Sequence, residues 1–169
     1  MTFDEARAQF IAAWGSLGVE WGISRNAAQV HALLLSSAQP LTLDEIVAQL
    51  GISKGSASMS TRFLIDWQLV RRGMSRDGRR DVFEAEADVW EMSRRIVLRR
   101  RQRELEPIVA LLGQLVAFKE PPPDRSAEAQ RFRGVLTDLH ALGRNANRVL
   151  DLALKLDRTT FFRRVLRRT

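Results

Sequence analysis

The stretch LTLDEIVAQLGISKGSASMSTRFLIDW, residues 41–67, decides how this 169-residue chain is read. Its centre, GISKGS, admits two chemistries. Glycine, lysine and serine together can cradle a nucleotide's phosphates, or they can open a helix that lies on DNA. A phosphate loop needs G-x-x-x-x-G-K-[ST] between a buried strand and a helix. Here Lys54 precedes the second glycine, Gly55, and a helical segment precedes the loop. Order and context both speak against the nucleotide.

What remains is two helices joined by a tight turn. Thr42 and Glu45 have capping-box spacing and predict a short helix reaching about Leu50. Gly51 can take the left-handed turn that follows. Ser53 caps a second helix, in which Ala57, Ser60, Phe63, Leu64 and Trp67 share a side. Such a pair is a helix-turn-helix, whose second helix offers its first turns to the DNA major groove. Those turns carry Ser53, Lys54, Ser56, Ala57 and Ser58, which are small or polar. Lys54 adds a point charge, and Arg62 is long enough to reach the backbone.

The period then changes. Residues 69–74 and 81–85 are short and extended, with Asp77-Gly78 between them as a two-residue hairpin turn. Arg76, Arg79 and Arg80 lie at or beside its tip, where a basic wing can enter the minor groove or lie along phosphates. By itself this would be a solvated turn; directly after a helix-turn-helix it reads as a DNA contact.

Outside this centre the chain reads as helices. Residues 3–14 have helical spacing, Gly15, Gly18 and Gly22 punctuate a turn region, and Ser24 caps a helix burying Ala27, Val30, Leu33 and Leu34. A long helix begins at Asp88, with a stripe of Val89, Met92, Ile96, Leu105, Ile108, Leu112, Leu115 and Val116, kinked or restarted at Pro107. EPPPD at 120–124 is a stiff connector. Ser126 starts a helix with Phe132, Leu136, Leu139, Leu142, Ala146 and Leu150 on one face, and TTFFRRVLRR at 159–168 reads as a last basic helix. The fold class is therefore mainly α with a small β-hairpin wing. Residues 1–87 form the winged helix-turn-helix, with its recognition helix at about 53–67 and wing at about 70–85. Residues 88–169 form a helical dimerisation region.

Composition narrows the function. Net charge is +7, divided as −2 over residues 1–70, +4 over 71–119 and +5 over 120–169, nearly all of it arginine. That balance attracts polyanions, chiefly nucleic acid. There is no cysteine, and His31 and His140 are the only histidines, so neither a metal site nor a cofactor is expected. No serine, histidine and acid cluster suggests an enzyme. The first residues lack a signal segment and no apolar run spans a bilayer, so a cytoplasmic protein without membrane attachment is expected. Against a lipid contact through TTFFRRVLRR, Phe161, Phe162 and Val165 are expected to pack inward.

A resemblance sharpens this. PLTLDEIVAQLGISKGSASMSTRFLIDWQLVRR, followed by DGRRDVFEAEADVWEMSRRI, resembles the MarR-type winged-helix transcription regulators, and most of all their GbsR-like branch. FIAAWGSLGVEWGISRNAAQVHALLL is similar to that branch too, so the likeness covers about residues 3–107. It implies a homodimer on pseudo-palindromic double-stranded operators, often under the control of a small-molecule effector. Some members of the branch respond to choline-type compounds, and quaternary ammonium is held by aromatic cages. That implies Phe10, Trp14, Trp21 and Trp90 as candidate effector contacts. The competing reading makes these rings core. A rival function is a winged helix used for protein contact, without specific DNA reading.

Overall fold

The computed structural model describes residues 1–117 and 126–155. The connector at 120–124 and the basic segment at 159–168 lie outside the described residues. The chain divides into two compact units, Met1–Ile96 and Val97–Thr169.

The N-terminal unit opens with α1 (Phe3–Glu20), capped by Thr2, whose side chain and Glu5 form a capping box. This helix runs through Gly15 and Gly18, where a turn was expected. Both glycines are buried against α2 (Arg25–Leu35). A Cβ on Gly18 would stand 2.4 Å from Ala28 Cβ, and one on Gly15 would stand 2.7 Å from Gln29 Cγ. They are the points at which two helices touch, not breaks in one. Ser24 caps α2 by accepting from Ala27 N at 3.2 Å.

Next come β1 (Leu41–Thr42), α3 (Leu43–Leu50) and α4 (Lys54–Asp66). Thr42 Oγ1 accepts from Glu45 N at 3.3 Å, and Glu45 Oε2 accepts from Thr42 N at 2.7 Å. The backbone bond first, and then the Thr42 hydroxyl donating to Oε2 at 2.7 Å, hold the Glu45 carboxyl below its ordinary pKa. Gly51 ends α3 with φ +64°, a conformation that costs other residues a Cβ clash. Ser53 accepts from Ser56 N at 3.1 Å to start α4.

The wing is β2 (Val70–Met74) and β3 (Asp81–Ala85), antiparallel, with Val70 opposite Ala85 and Met74 opposite Asp81. It is not the two-stranded hairpin that was expected. Strand β1 adds a third member in the order β1-β3-β2, pairing Leu41 with Phe83 and Thr42 with Val82. The tip also differs. Only Gly78 has positive φ there, so Asp77-Gly78 is not a two-residue turn with both residues left-handed. Instead Gly78 N donates to Ser75 O, and Ser75 N donates to Arg80 O, both at 2.8 Å, enclosing a longer loop.

The core of this unit joins Val30, Leu33 and Leu34 of α2 to Ile46, Ala57, Leu64, Trp67, Val70 and Phe83. Met92 of α5 (Val89–Arg100) is buried in it, with Ile96 packed alongside. That packing carries the N-terminal unit on to Ile96.

In the C-terminal unit a π-helical turn, Arg101–Leu105, leads into α6 (Glu106–Ala117). Its wide bond runs from Glu106 N to Arg101 O. Pro107 follows, with no N–H to offer Arg103, so the turn loosens just where the ring needs room. Helix α7 (Ala127–Lys155) packs on α6 as an antiparallel hairpin: Gly113 lies against His140 and Gly143 against Val109. Arg101 crosses to Asp151 at 2.5 Å. The single apolar stripe expected on α7 is in fact two. Leu136 is buried, whereas Phe132, Leu139 and Leu142 are exposed beside Val135, Val149 and Leu152. No described helix is long and apolar enough to cross a membrane.

Candidate nucleic-acid interface

Helix α4 turns Ala57, Ser60, Thr61 and Leu64 into the core. By the helical period its opposite side is Gly55, Met59, Arg62 and Asp66, all exposed. That rotation sorts the residues expected to read DNA. Ser53, Lys54 and Arg62 are exposed, and Ser58 is half-buried beside them. Ala57 is 0% exposed, so its side chain reaches no surface and is withdrawn as a contact. Ser56 faces α2, where its Oγ accepts from Asn26 Nδ2 at 2.6 Å. Asn26 thus anchors the start of α4, a role the sequence reading missed.

Lys54 Nζ sits 3.0 Å from Asp44 Oδ1, with both side chains exposed. An exposed pair of this kind contributes about 0–1 kcal/mol, so Lys54 can exchange Asp44 for a phosphate at small cost. Arg80 is close enough to Glu45, in the same α3 turn, to add to the lowering of its pKa. The first turn of α3 therefore has Lys54 bonded to it and Arg80 within electrostatic reach.

The wing's arginines fall into two classes. On the strands, Arg72 bonds Asp81 Oδ2 at 2.6 Å, and Arg71 lies 3.7 Å from Glu84. Near the tip, Arg76 and Arg79 are exposed and form no ion pair with the described residues; the same holds for Arg62 on α4. Further along, Arg95 is committed internally, to Glu86 at 3.0 Å, Glu91 at 2.7 Å and the Gln68 carbonyl at 2.5 Å. Arg94 and then Arg95 hold the Glu91 carboxyl down to about 2. Net charge alone does not distinguish these internal arginines from the ones that face solvent.

Two further residues escaped the sequence reading. Met59 is 72% exposed in the middle of the outward face of α4. Gly55 lies one turn before it, and a Cβ there would meet nothing within 4 Å. A helical wheel centred on the buried Ala57, Ser60 and Leu64 would have found both.

Of the four aromatic effector candidates, Phe10 and Trp14 come together, with ring centroids 5.5 Å apart. Trp14 also lies 6.2 Å from His31. Trp21 is the exposed C-cap of α1, and Trp90 is in the first turn of α5. Burial lowers the His31 pKa to about 4, and its Nε2 finds no partner among the described residues.

No family model matches the chain, and no curated protein matches it. Solved structures do. One described as a transcriptional regulator aligns over 83% of this chain and 95% of its own, at 20% identity and TM-score 0.58. A MarR-family transcriptional regulator from Rhodococcus sp. RHA1 covers 67% of this chain and 85% of its own, at 14% identity and TM-score 0.40. A mutant of MepR from S. aureus, bound to an oligodeoxyribonucleotide, covers 82% and 90%, at 14% identity and TM-score 0.40. The first of these likenesses, together with the helix order and the three-stranded wing, establishes the fold: a winged helix-turn-helix followed by long helices.

Proposed function

We propose that this chain is a homodimeric, sequence-specific DNA-binding transcription regulator of the MarR type, in its GbsR-like branch. The observation that carries the reading is the sorting of arginines. The strand arginines Arg71 and Arg72 each stand beside a carboxylate of the wing, while Arg62, Arg76 and Arg79 stand exposed without a counter-ion among the described residues. Unpaired arginine on a recognition helix and a wing tip is what phosphate contact requires. The dimer rests on the exposed stripes of the C-terminal unit, which a second copy would cover and so place two recognition helices on one operator.

Fluorescence anisotropy with a labelled duplex library across a salt series tests this. The wild-type protein should bind a subset of sequences tightly and lose affinity steeply with salt. Arg79→Ala should weaken binding to all duplexes alike and lower the salt slope by about one unit, the signature of one lost phosphate contact. A slope that does not move removes Arg79 from the interface. Binding indifferent to sequence, and to Lys54→Ala with Arg79→Ala combined, would redirect the winged helix to protein contact.

A further inference from the structure

Helix α4 carries one large apolar side chain that its own protein leaves uncovered. Met59 is 72% exposed, while every other apolar residue of the helix is at least partly packed. Its neighbours on the same face are Gly55 one turn before and Arg62 one turn after. Gly55 serves no packing need, because the space where its Cβ would lie is open. Nor is it a turn residue, since it lies within the helix. A bare backbone there weakens the helix relative to alanine. What it offers in return is close approach of whatever lies against this face.

If that occupant is the major groove, as the function proposed above requires, the chemistry of Met59 selects a feature in it. The groove edge is a row of hydrogen-bond donors and acceptors, and thymine interrupts it with a C5-methyl group. A thioether neither donates nor accepts usefully, but it is unbranched and polarisable and fits an irregular apolar surface. We infer that Met59 is a specificity-determining residue that packs on the 5-methyl group of one thymine in each half-site. Gly55 lets the helix sit deep enough for that contact, and Arg62 holds the adjoining backbone. The inference rests on the DNA reading and adds a base identity to it.

Deoxyuridine tests it, because it pairs and hydrogen-bonds as thymine does and lacks only the methyl. An operator selected from the duplex library is resynthesised with each thymine replaced in turn, and affinity is measured by anisotropy for the wild type and Met59→Ala. One position per half-site should cost the wild type about fourfold, the worth of one buried methyl. At that position Met59→Ala should bind the two duplexes equally. Met59 is outside the core, so the variant should melt with the wild type. A wild type indifferent to every replacement overturns the inference, as does a Met59→Ala protein that discriminates as the wild type does. Either result leaves selective binding, and with it the DNA reading, intact. Absence of any selective binding by the wild type would instead sink both.

Discussion

Leu33 and Leu142 are the same side chain, each on a helix, yet one is 1% exposed and the other 66%. Leu33 lies in α2, which has α1, α3, α4 and the wing packed around it. Leu142 lies in α7, whose described partners within its unit, α6 and the π-helical turn before it, cover a neighbouring stripe. The difference teaches what each unit needs. The N-terminal unit closes its own core. The C-terminal unit builds one seam, through Leu136, His140 and Gly143, and leaves a parallel stripe from Phe132 to Leu152 open. Leaving that much leucine and valine in water is unfavourable, and it is the physical ground for the second copy proposed above.

The contrast can be broken most severely in the N-terminal core. Leu33→Ala should cost about 3 kcal/mol, read from the shift in urea midpoint. A loss under about 1 kcal/mol would mean that the site collapses around the missing side chain and that Leu33 does not hold this core together. Acid should act on the same unit nearly as strongly. The folded His31 pKa of about 4 lies below the ordinary 6.5, so the unfolded chain takes up its proton first as pH falls. The contribution of neutral, buried His31 is thus whole above pH 6.5 and drains away toward pH 4, by up to roughly 3 kcal/mol. His31→Leu should flatten the stability profile across that window; an unchanged slope would assign the acid sensitivity elsewhere.

Charging the open stripe makes the complementary test. Leu139→Glu with Leu142→Glu touches only exposed positions, so the far-ultraviolet spectrum should hold. Light scattering should fall from about twice 19.2 kDa to that value itself. A mass that stays doubled would take α7 out of the interface. The smallest effect belongs to a cap: Thr42→Ala should cost about 1 kcal/mol, and chemical-shift titration should show Glu45 moving only part of the way toward its ordinary pKa, because the backbone N–H of residue 42 stays. A Glu45 that does not move would show that the Thr42 hydroxyl contributes nothing to holding its carboxylate.

Local signals were the legible ones. The caps at Ser24, Thr42 and Ser53, the left-handed Gly51 and the extents of β2 and β3 follow from short-range rules, and the structure has each of them. Features set by a distant neighbour were not. Gly15 and Gly18 look like helix breakers until Ala28 and Gln29 are seen beside them. Strand β1 is two residues long and reads as the cap it also is. The rotation of α4 depends on what covers it, so sequence spacing alone does not tell the buried Ala57 from the exposed Met59. On α7 two adjacent apolar stripes merge into one in a list of leucines, and only the helix lying along one of them separates the pair.

Thr42 has a consequence beyond its cap. Its backbone pairs with Val82 of the wing while its hydroxyl starts α3, and the Lys54–Asp44 pair couples that same turn to α4. One residue thus splices the wing to the start of α3 like a pin through two levers. On the function proposed above, a tilt imposed on the wing by a wide or narrow minor groove would reach the helix-turn-helix through Thr42. Flanking sequence without direct contacts would then be felt at the bases that are read, and operators should be graded by groove width as well as by letter.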